Sequence, residues 1–200
     1  AINNQQFLPV GYFGYTETHR YYQDIKQSNE LMAEAGYADG FDVELVTNTT
    51  ERRKTEAVVV QENLAKIGIN AEINLMQASQ MYAKFREQGV QMIIAGWGVD
   101  YPDADALANP FANYRVQQLA WRCVWYDDYA ADLCEAAAVE INEDRRFQMY
   151  QDLTNYWHIY GPFAMMYQPI EFWGVRNEVK DYDKAAEGYS VHFDLTEISK

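Results

Sequence analysis

Alternation between two hydrophobic periods over residues 21–97 constrains the fold more than any other feature of this sequence. The stretches FDVELVT (41–47) and INAEINLM (69–76) alternate apolar and polar side chains, which is typical of strands. The apolar run QMIIAGW (91–97) predicts a third, short strand. Between and before these stretches, apolar residues recur every three or four positions, which predicts helices at about 21–35, 51–67 and 79–88.

Strand, helix, strand, helix, strand with short connections indicates parallel pairing, with each helix as a crossover. The sequence therefore predicts an α/β fold, a mostly parallel sheet flanked by helices. We expect the second helix to pack one stripe against the sheet, formed by Ala57, Val60, Leu64 and Ile67.

Two longer helical patterns follow, at about 127–141 and 144–160. Their apolar stripes are Tyr129, Leu133, Ala136 and Ala137 in the first, and Phe147, Tyr150, Leu153 and Trp157 in the second. Pro162 predicts the end of the second helix. Extended structure is expected after it, with weak alternation over the last 25 residues.

Length and charge exclude several classes of function. The chain has 200 residues and a formal net charge of −14, so a nucleic acid or an anionic membrane surface would be repelled. No apolar run approaches the about 20 residues needed to cross a bilayer. The start of the sequence lacks a secretion signal, which is expected of a cytoplasmic protein, of a mature exported form or of a fragment.

The sequence contains two cysteines, Cys123 and Cys134. An even pair at short separation favours an oxidising compartment and predicts a disulfide between them. The alternative is two inert buried thiols.

The stretch AGWGVDYPDADAL (95–107) places aromatic and acidic side chains directly after the third predicted strand. Ligands of open parallel sheets bind beyond the carboxyl ends of the strands, so this stretch is the candidate site. It is not an EF-hand, because the twelfth position from Asp100 or Asp103 is Phe111 or Tyr114 rather than glutamate. Scattered histidines and the absence of nucleotide-binding or nucleophile motifs predict no metal and no cofactor.

Four motifs in order resemble one protein family: AEAGYADGF (33–41), QENLAKIGINAEI (61–73), GWGVDYPDADAL (96–107) and RRFQMYQDLTNYWHIYGPFAMMY (145–167). They resemble the second lobe of the extracytoplasmic solute-binding proteins of ABC importers for oligopeptides and dipeptides. Ala104 stands where that family usually has a proline, a departure that affects the turn more than the site.

The resemblance implies a type II periplasmic-binding-protein lobe spanning residues 1–200, with residues 1–20 and 180–200 as arms to an N-terminal lobe that is missing from this sequence. It also implies a periplasmic or membrane-associated extracellular location, a peptide or other small solute as ligand, an ABC permease as partner, and no catalysis.

The resemblance assigns ligand binding to Trp97, Gly98, Asp100 and Tyr101. In peptide-binding relatives the aspartate that matches Asp100 pairs with the ligand's α-ammonium group. Asp100 could instead cap a helix over residues 102–109, a role that Asp103 could also fill. Trp97 could be core at the sheet edge, and Tyr101 is one of 16 tyrosines.

Arg115 and Arg122 could bind a ligand carboxylate, although arginines among many acids more often form surface pairs. Trp121, Trp125 and Trp157 are assigned to packing. Two rival functions are compatible with the same residues. One is a hydrolase lobe that uses Asp100 and Asp103 as an acid–base pair, and the other is a structural domain that docks on a permease through its acidic face.

Overall fold

The computed structural model describes residues 1–17, 21–98, 101, 103–170, 172 and 174–180, and the backbone of three short strands near the C terminus. The chain divides into two compact units. We call Tyr21–Trp97 the sheet unit, and Ala1–Arg20 together with Gly98–Lys200 the helical unit. The prediction that residues 1–200 form one C-terminal lobe, with arms at both ends, stays a prediction.

The sheet unit alternates helices and strands as predicted. In chain order its elements are α1 (Ile25–Glu34), β1 (Phe41–Asn48), α2 (Glu51–Ala65), β2 (Ile69–Met76), α3 (Ala78–Arg86) and β3 (Met92–Ile93). The strands are parallel in the order β2-β1-β3, with Phe41 opposite Ile69 and Leu45 opposite Met92. The predicted parallel sheet is confirmed, although β3 is shorter than the apolar run that predicted it.

Capping and glycine geometry explain where these elements begin and end. The Asp24 carboxylate accepts the Gln27 N–H at 2.9 Å and caps α1. Gly40 and Gly68 stand just before β1 and β2, where both have positive φ and their backbones nearly touch. A Cβ on Gly40 would lie 1.9 Å from the Gly68 carbonyl oxygen, so this approach requires glycine.

The core of the sheet unit includes one small aliphatic cluster, and Met81 and Phe85 of α3 are also buried. Leu45 and Ala57 have no exposed surface, and Ala71 and Ile94 are also buried. Val60 and Leu64 pack against this cluster while staying partly exposed. The predicted inward face of α2 is therefore confirmed for Ala57, Val60 and Leu64.

The helical unit contains four α-helices and one short 3-10 helix in its described part. They are α4 (Asp105–Ala112), the 3-10 helix (Tyr114–Val116), α5 (Leu119–Arg122), α6 (Asp128–Val139) and α7 (Glu143–Tyr160). Near the C terminus, β4 (Val179–Lys180) pairs antiparallel with β7 (Glu197–Ile198), and β5 (Ala186–Glu187) pairs antiparallel with β6 (Ser190–Val191).

Helix α7 buries the predicted residues Tyr150, Leu153 and Trp157. The stripe predicted for α6 is confirmed for Ala137, which is buried, and is wrong for Tyr129, which is 54% exposed, and for Ala136, which is also exposed. The buried face of α6 consists of small side chains: Ala130, Ala131, Cys134 and Ala137. An alanine-rich helix carries apolar residues on several faces, so its periodicity does not identify the face that packs.

The predicted disulfide is also wrong, since Cys123 and Cys134 are both free thiols. Cys134 lies on the buried face of α6, where its Sγ donates to the Ala108 carbonyl of α4 at 3.4 Å. Cys123 ends α5, and its N–H donates to the Leu119 carbonyl at 2.9 Å. Burial raises the pKa of both thiols, that of Cys123 to about 11. The structure agrees with the alternative prediction of two inert thiols.

The N-terminal segment supplies part of the core of the helical unit. Phe7 and Leu8 are buried, and the Phe7 ring meets Trp157 edge to face with centroids 5.3 Å apart. Ile2 forms an antiparallel bridge with Gln168, and the His158 Nε2 lies 2.7 Å from the Gln5 carbonyl oxygen. The described residues of this segment therefore belong to the core of the helical unit.

Candidate functional site

The strand preceding the candidate site runs parallel to the central strand as far as Ile94. The Ile94 N–H donates to the Val46 carbonyl at 3.0 Å, and the Thr47 hydroxyl donates to the Ile94 carbonyl at 2.9 Å. Trp97 follows this carboxyl end and is half-buried. The chain therefore leaves the sheet where ligands of parallel sheets bind, and both interpretations of Trp97 stay open.

The other predicted ligand residues belong to the helical unit. Gly98 is half-buried, and Tyr101 is 48% exposed with its hydroxyl donating to Asp105 Oδ2 at 3.0 Å. Asp100, the predicted ammonium ligand, lies outside the described residues. Its role and those of Trp97, Gly98 and Tyr101 stay predictions.

Asp103 organises the chain that leads from Tyr101 into α4. Its N–H donates to the Tyr101 carbonyl at 3.0 Å, and its Oδ1 accepts the Asp105 N–H at 2.8 Å. The Asp103 carbonyl accepts the Ala106 N–H at 3.1 Å. Asp103 thus accepts the first N–H of α4 from the position before the N-cap, Ala104, and the helix runs over Asp105–Ala112 rather than residues 102–109.

The Asp103 carboxylate also forms a bidentate ion pair that the sequence did not reveal. Arg146 of α7 donates through its two terminal nitrogens, at 2.6 Å to Oδ1 and 3.1 Å to Oδ2. The hydrogen bonds from Arg146, assisted by the Asp105 N–H, lower the pKa of Asp103 below its usual value. Asp103 is therefore ionised at neutral pH and is not suited to act as a general acid.

A second polar chain runs along α4 from Tyr101. The Asp105 carboxylate accepts from the Tyr101 hydroxyl and from the Asn109 side-chain amide, one turn later. Asn113 continues the chain, donating to Asn109 Oδ1 at 3.2 Å and to Glu135 Oε1 at 3.3 Å. Sequence reasoning missed these residues, although the spacing of four between Asp105, Asn109 and Asn113 was a readable sign of one helix face.

The two arginines considered as carboxylate ligands have protein partners. Arg115 pairs with Asp128 and Asp132 at 2.8 Å and with Glu135 at 3.1 Å. These hydrogen bonds raise the pKa of the Arg115 guanidinium. Arg122 donates to the Gln118 side chain at 2.7 Å. The interpretation of Arg115 as a surface ion pair is confirmed.

Of the tryptophans assigned to packing, Trp157 is 1% exposed, which confirms its assignment, and Trp121 and Trp125 are half-buried. A cavity of about 390 Å³ lies beside the Asp103–Arg146 pair and is also lined by Phe13. Trp97, Gly98 and Tyr101, the described members of the predicted ligand set, do not line it.

Across the described part of the chain, no group of three or more His, Cys, Asp or Glu side chains could hold a metal ion. Within the same residues, every helix is too short or too polar to cross a bilayer.

Comparison with known proteins decides the family. Residues 1–118, more than half of the chain, match the model of the bacterial extracellular solute-binding proteins, family 5 Middle. The chain belongs to family 5 of the bacterial extracellular solute-binding proteins. This match includes the sheet unit and the candidate site.

Curated relatives of this family 5 chain include two binding proteins of enteric bacteria. It is 29% identical over 175 residues to the glutathione-binding protein GsiB of Salmonella choleraesuis (strain SC-B67), covering 76% of this chain and 34% of GsiB. It is 23% identical over 189 residues to the dipeptide-binding protein of Escherichia coli (strain K12), covering 91% of this chain and 35% of that protein. The chain therefore spans about a third of the length of these relatives.

Solved structures confirm the fold. The periplasmic binding protein DppA of Helicobacter pylori, in complex with the peptide STSA, superposes with a TM-score of 0.84 at 22% identity, over 100% of this chain and 39% of that one. A dipeptide-binding protein of Pseudoalteromonas sp. SM9913, in complex with Met-Leu, gives 0.82 at 18% identity, over 99% and 40% of the two chains. The family 5 chain thus has the type II periplasmic-binding-protein fold, as predicted.

Proposed function

We propose that this chain is part of the solute-binding component of an ABC importer and that the whole protein binds peptides or related small solutes. The observation that carries the proposal is the family 5 match over residues 1–118, which includes the segment that leaves the sheet at Trp97. The names of the relatives, which bind glutathione, dipeptides and a tetrapeptide, support the class of solute.

The whole protein in this proposal has two lobes, of which the present chain is the C-terminal one. Its coverage of 34–35% of the curated relatives supports a longer protein. The second lobe completes the binding cleft, and an ABC permease receives the solute. The protein acts outside the cytoplasm, in the periplasm or at the outer face of the membrane, which agrees with the family's description as extracellular.

In the closed cleft, Asp100 binds the α-ammonium group of a peptide, and Trp97, Gly98 and Tyr101 complete this part of the site. A carboxylate is suited to this role because it accepts charge-assisted hydrogen bonds from an ammonium group. Trp97 contributes apolar contact area at a small cost in conformational entropy.

The protein carries out no catalysis in this proposal. The rival hydrolase needs one carboxyl group of the Asp100 and Asp103 pair to donate a proton near neutral pH. Asp103 is unsuited to that role, because Arg146 engages both of its oxygens and lowers its pKa.

A thermal-shift screen of the full-length protein tests binding and catalysis together. The panel contains glutathione, Met-Leu and Ser-Thr-Ser-Ala, and each mixture is analysed by chromatography after incubation. We expect at least one of these solutes to raise the melting temperature while every solute is recovered intact. Product formation would establish an enzyme, and no shift with any peptide would contradict a peptide-binding function.

A further inference from the structure

Arg146 connects three parts of the helical unit to the segment that follows Asp100. Besides the bidentate pair with Asp103, its Nε donates to the Ala137 carbonyl near the end of α6 at 3.0 Å. Its guanidinium lies 5.3 Å from the centre of the Phe13 ring in the N-terminal segment. It also lies 5.2 Å from the centre of the Tyr150 ring on its own helix. One side chain thus contacts α6, α7, the N-terminal segment and the entry to α4.

These contacts hold the guanidinium in one orientation. Its side chain is 19% exposed, and all three nitrogens donate hydrogen bonds, since the nitrogen that binds Asp103 Oδ1 also donates to the Tyr150 hydroxyl at 3.2 Å. A planar guanidinium offers these donors in fixed directions, whereas a lysine ammonium has no second nitrogen with which to form the bidentate pair. Arginine and lysine are therefore not equivalent at position 146.

Asp103 links Arg146 to Tyr101 and to the start of α4. The Oδ1 atom that accepts from Arg146 also accepts the Asp105 N–H at 2.8 Å, and the Asp103 N–H donates to the Tyr101 carbonyl at 3.0 Å. Asp103 therefore fixes Tyr101 on one side and the start of α4 on the other. Tyr101 is one of the predicted ligand residues, so its contribution to binding depends on the turn that Asp103 holds.

We propose that Arg146 is a positioning residue for ligand binding: through Asp103 it fixes Tyr101, a predicted ligand residue, and the start of α4. Arg146 itself touches no ligand in this account. The expected effect of Arg146 on ligand affinity rests on the proposed function. Its expected effect on Tyr101 and the start of α4 does not.

Amide hydrogen exchange of this chain tests the effect on the segment without any ligand. We expect Arg146→Gln and Arg146→Lys each to speed exchange of the Asp105 amide at least tenfold, because the Asp103 carboxylate that accepts this amide is no longer held. The matched control is Arg145→Gln, which removes the neighbouring ion pair to Glu140 at 2.7 Å and should leave the Asp105 amide unchanged. Unchanged exchange in both Arg146 variants would overturn the proposal.

Calorimetry on the full-length protein tests the consequence for binding, with Met-Leu, Ser-Thr-Ser-Ala and glutathione as probes. We expect Arg146→Lys to weaken binding at least fivefold and Arg145→Gln to leave it unchanged. In a Tyr101→Ala background, Arg146→Lys should cause no further loss, because its effect acts through the Tyr101 side chain. A general loss of stability would instead weaken both backgrounds equally.

The two experiments separate this inference from the proposed function. If the wild-type protein binds none of the probes, the proposed function fails, and the Asp105 exchange alone decides whether Arg146 fixes the segment. Faster exchange in the Arg146 variants together with unchanged affinity for a bound probe would overturn the positioning role.

Discussion

The sheet unit and the helical unit are stabilised in different ways. In the sheet unit β1 pairs with both β2 and β3, and the buried side chains are mostly aliphatic, such as Leu45 and Ile94, with Phe85 as a buried aromatic ring. The helical unit buries more aromatic rings, and these join distant parts of the sequence. Trp157 contacts Phe7 and Phe163 with ring centroids 5.3 and 5.4 Å apart.

This difference determines how each unit responds to mutation. A buried aromatic side chain contributes a large contact area, so the stability of the helical unit depends strongly on a few residues. The sheet unit buries mostly aliphatic side chains, and its most demanding positions are set by backbone geometry.

The aromatic core predicts that Trp157→Ala has the largest effect. Trp157 is 1% exposed, and its Nε1 donates to the Phe111 carbonyl at 3.2 Å. Its removal should cost about 3–5 kcal/mol of unfolding free energy, measured by urea titration. The control Ile141→Ala removes a side chain that is 96% exposed and should change stability by less than about 0.5 kcal/mol. A loss below about 1 kcal/mol for Trp157→Ala would show that the stability of the helical unit does not depend strongly on single aromatic residues.

In the sheet unit, Leu45→Ala should cost about 3 kcal/mol, because Leu45 has no exposed surface and its loss leaves a cavity beneath α2. Leu64→Ala should cost about 2 kcal/mol, at the lower end of the usual range, because Leu64 is only partly buried. Leu31→Ala is the surface control, since Leu31 is 57% exposed. A change below half a kcal/mol for Leu64→Ala, about the size expected at the surface, would show that α2 packs through another face.

Backbone geometry predicts a smaller but specific cost for Gly40→Ala. Left-handed φ at a residue with a Cβ costs about 1 kcal/mol, and at Gly40 the new Cβ would also meet the Gly68 carbonyl oxygen at 1.9 Å. The sum should be about 2 kcal/mol. Gly36→Ala is the matched control, because Gly36 has a similar φ of +84° but no atom within 4 Å of the new Cβ. Equal costs at the two positions would contradict the close approach of Gly40 and Gly68.

The smallest effect concerns the cysteines of the helical unit. Since Cys123 and Cys134 are free, adding a reductant should not change the unfolding free energy, whereas a disulfide would lose about 2–3 kcal/mol. Alkylation in denaturant without reductant should label both thiols. In the native protein, labelling of Cys123 should be slow at pH 8 and accelerate as the pH rises toward its raised pKa of about 11. A protein that labels only after reduction would restore the predicted disulfide.

Sequence reasoning predicted the sheet unit well because its determinants are local. Alternating side chains marked β1 and β2, glycines marked the ends of helices, and the order of elements implied parallel pairing. The position of the candidate site beyond a strand end followed from the same order.

The helical unit was predicted less completely because its determinants are not local. No pattern links Phe7 to Trp157 or Asp103 to Arg146, since each pair meets only through the tertiary fold. The alanines of α6 did not identify which face of the helix packs. The spacing of the cysteines gave no information on where their side chains point.

The most direct test of the proposed function is a two-by-two calorimetric comparison on the full-length protein, with wild type and Asp100→Asn each titrated with Met-Leu and with N-acetylated Met-Leu. An ammonium group paired with a buried carboxylate should make the wild type prefer the free peptide by at least about tenfold. In Asp100→Asn this preference should largely disappear, because the variant lacks the charge that recognises the ammonium group. Equal binding of the two peptides by the wild type, or an undiminished preference in the variant, would contradict the assignment of Asp100 as the ligand's anchor.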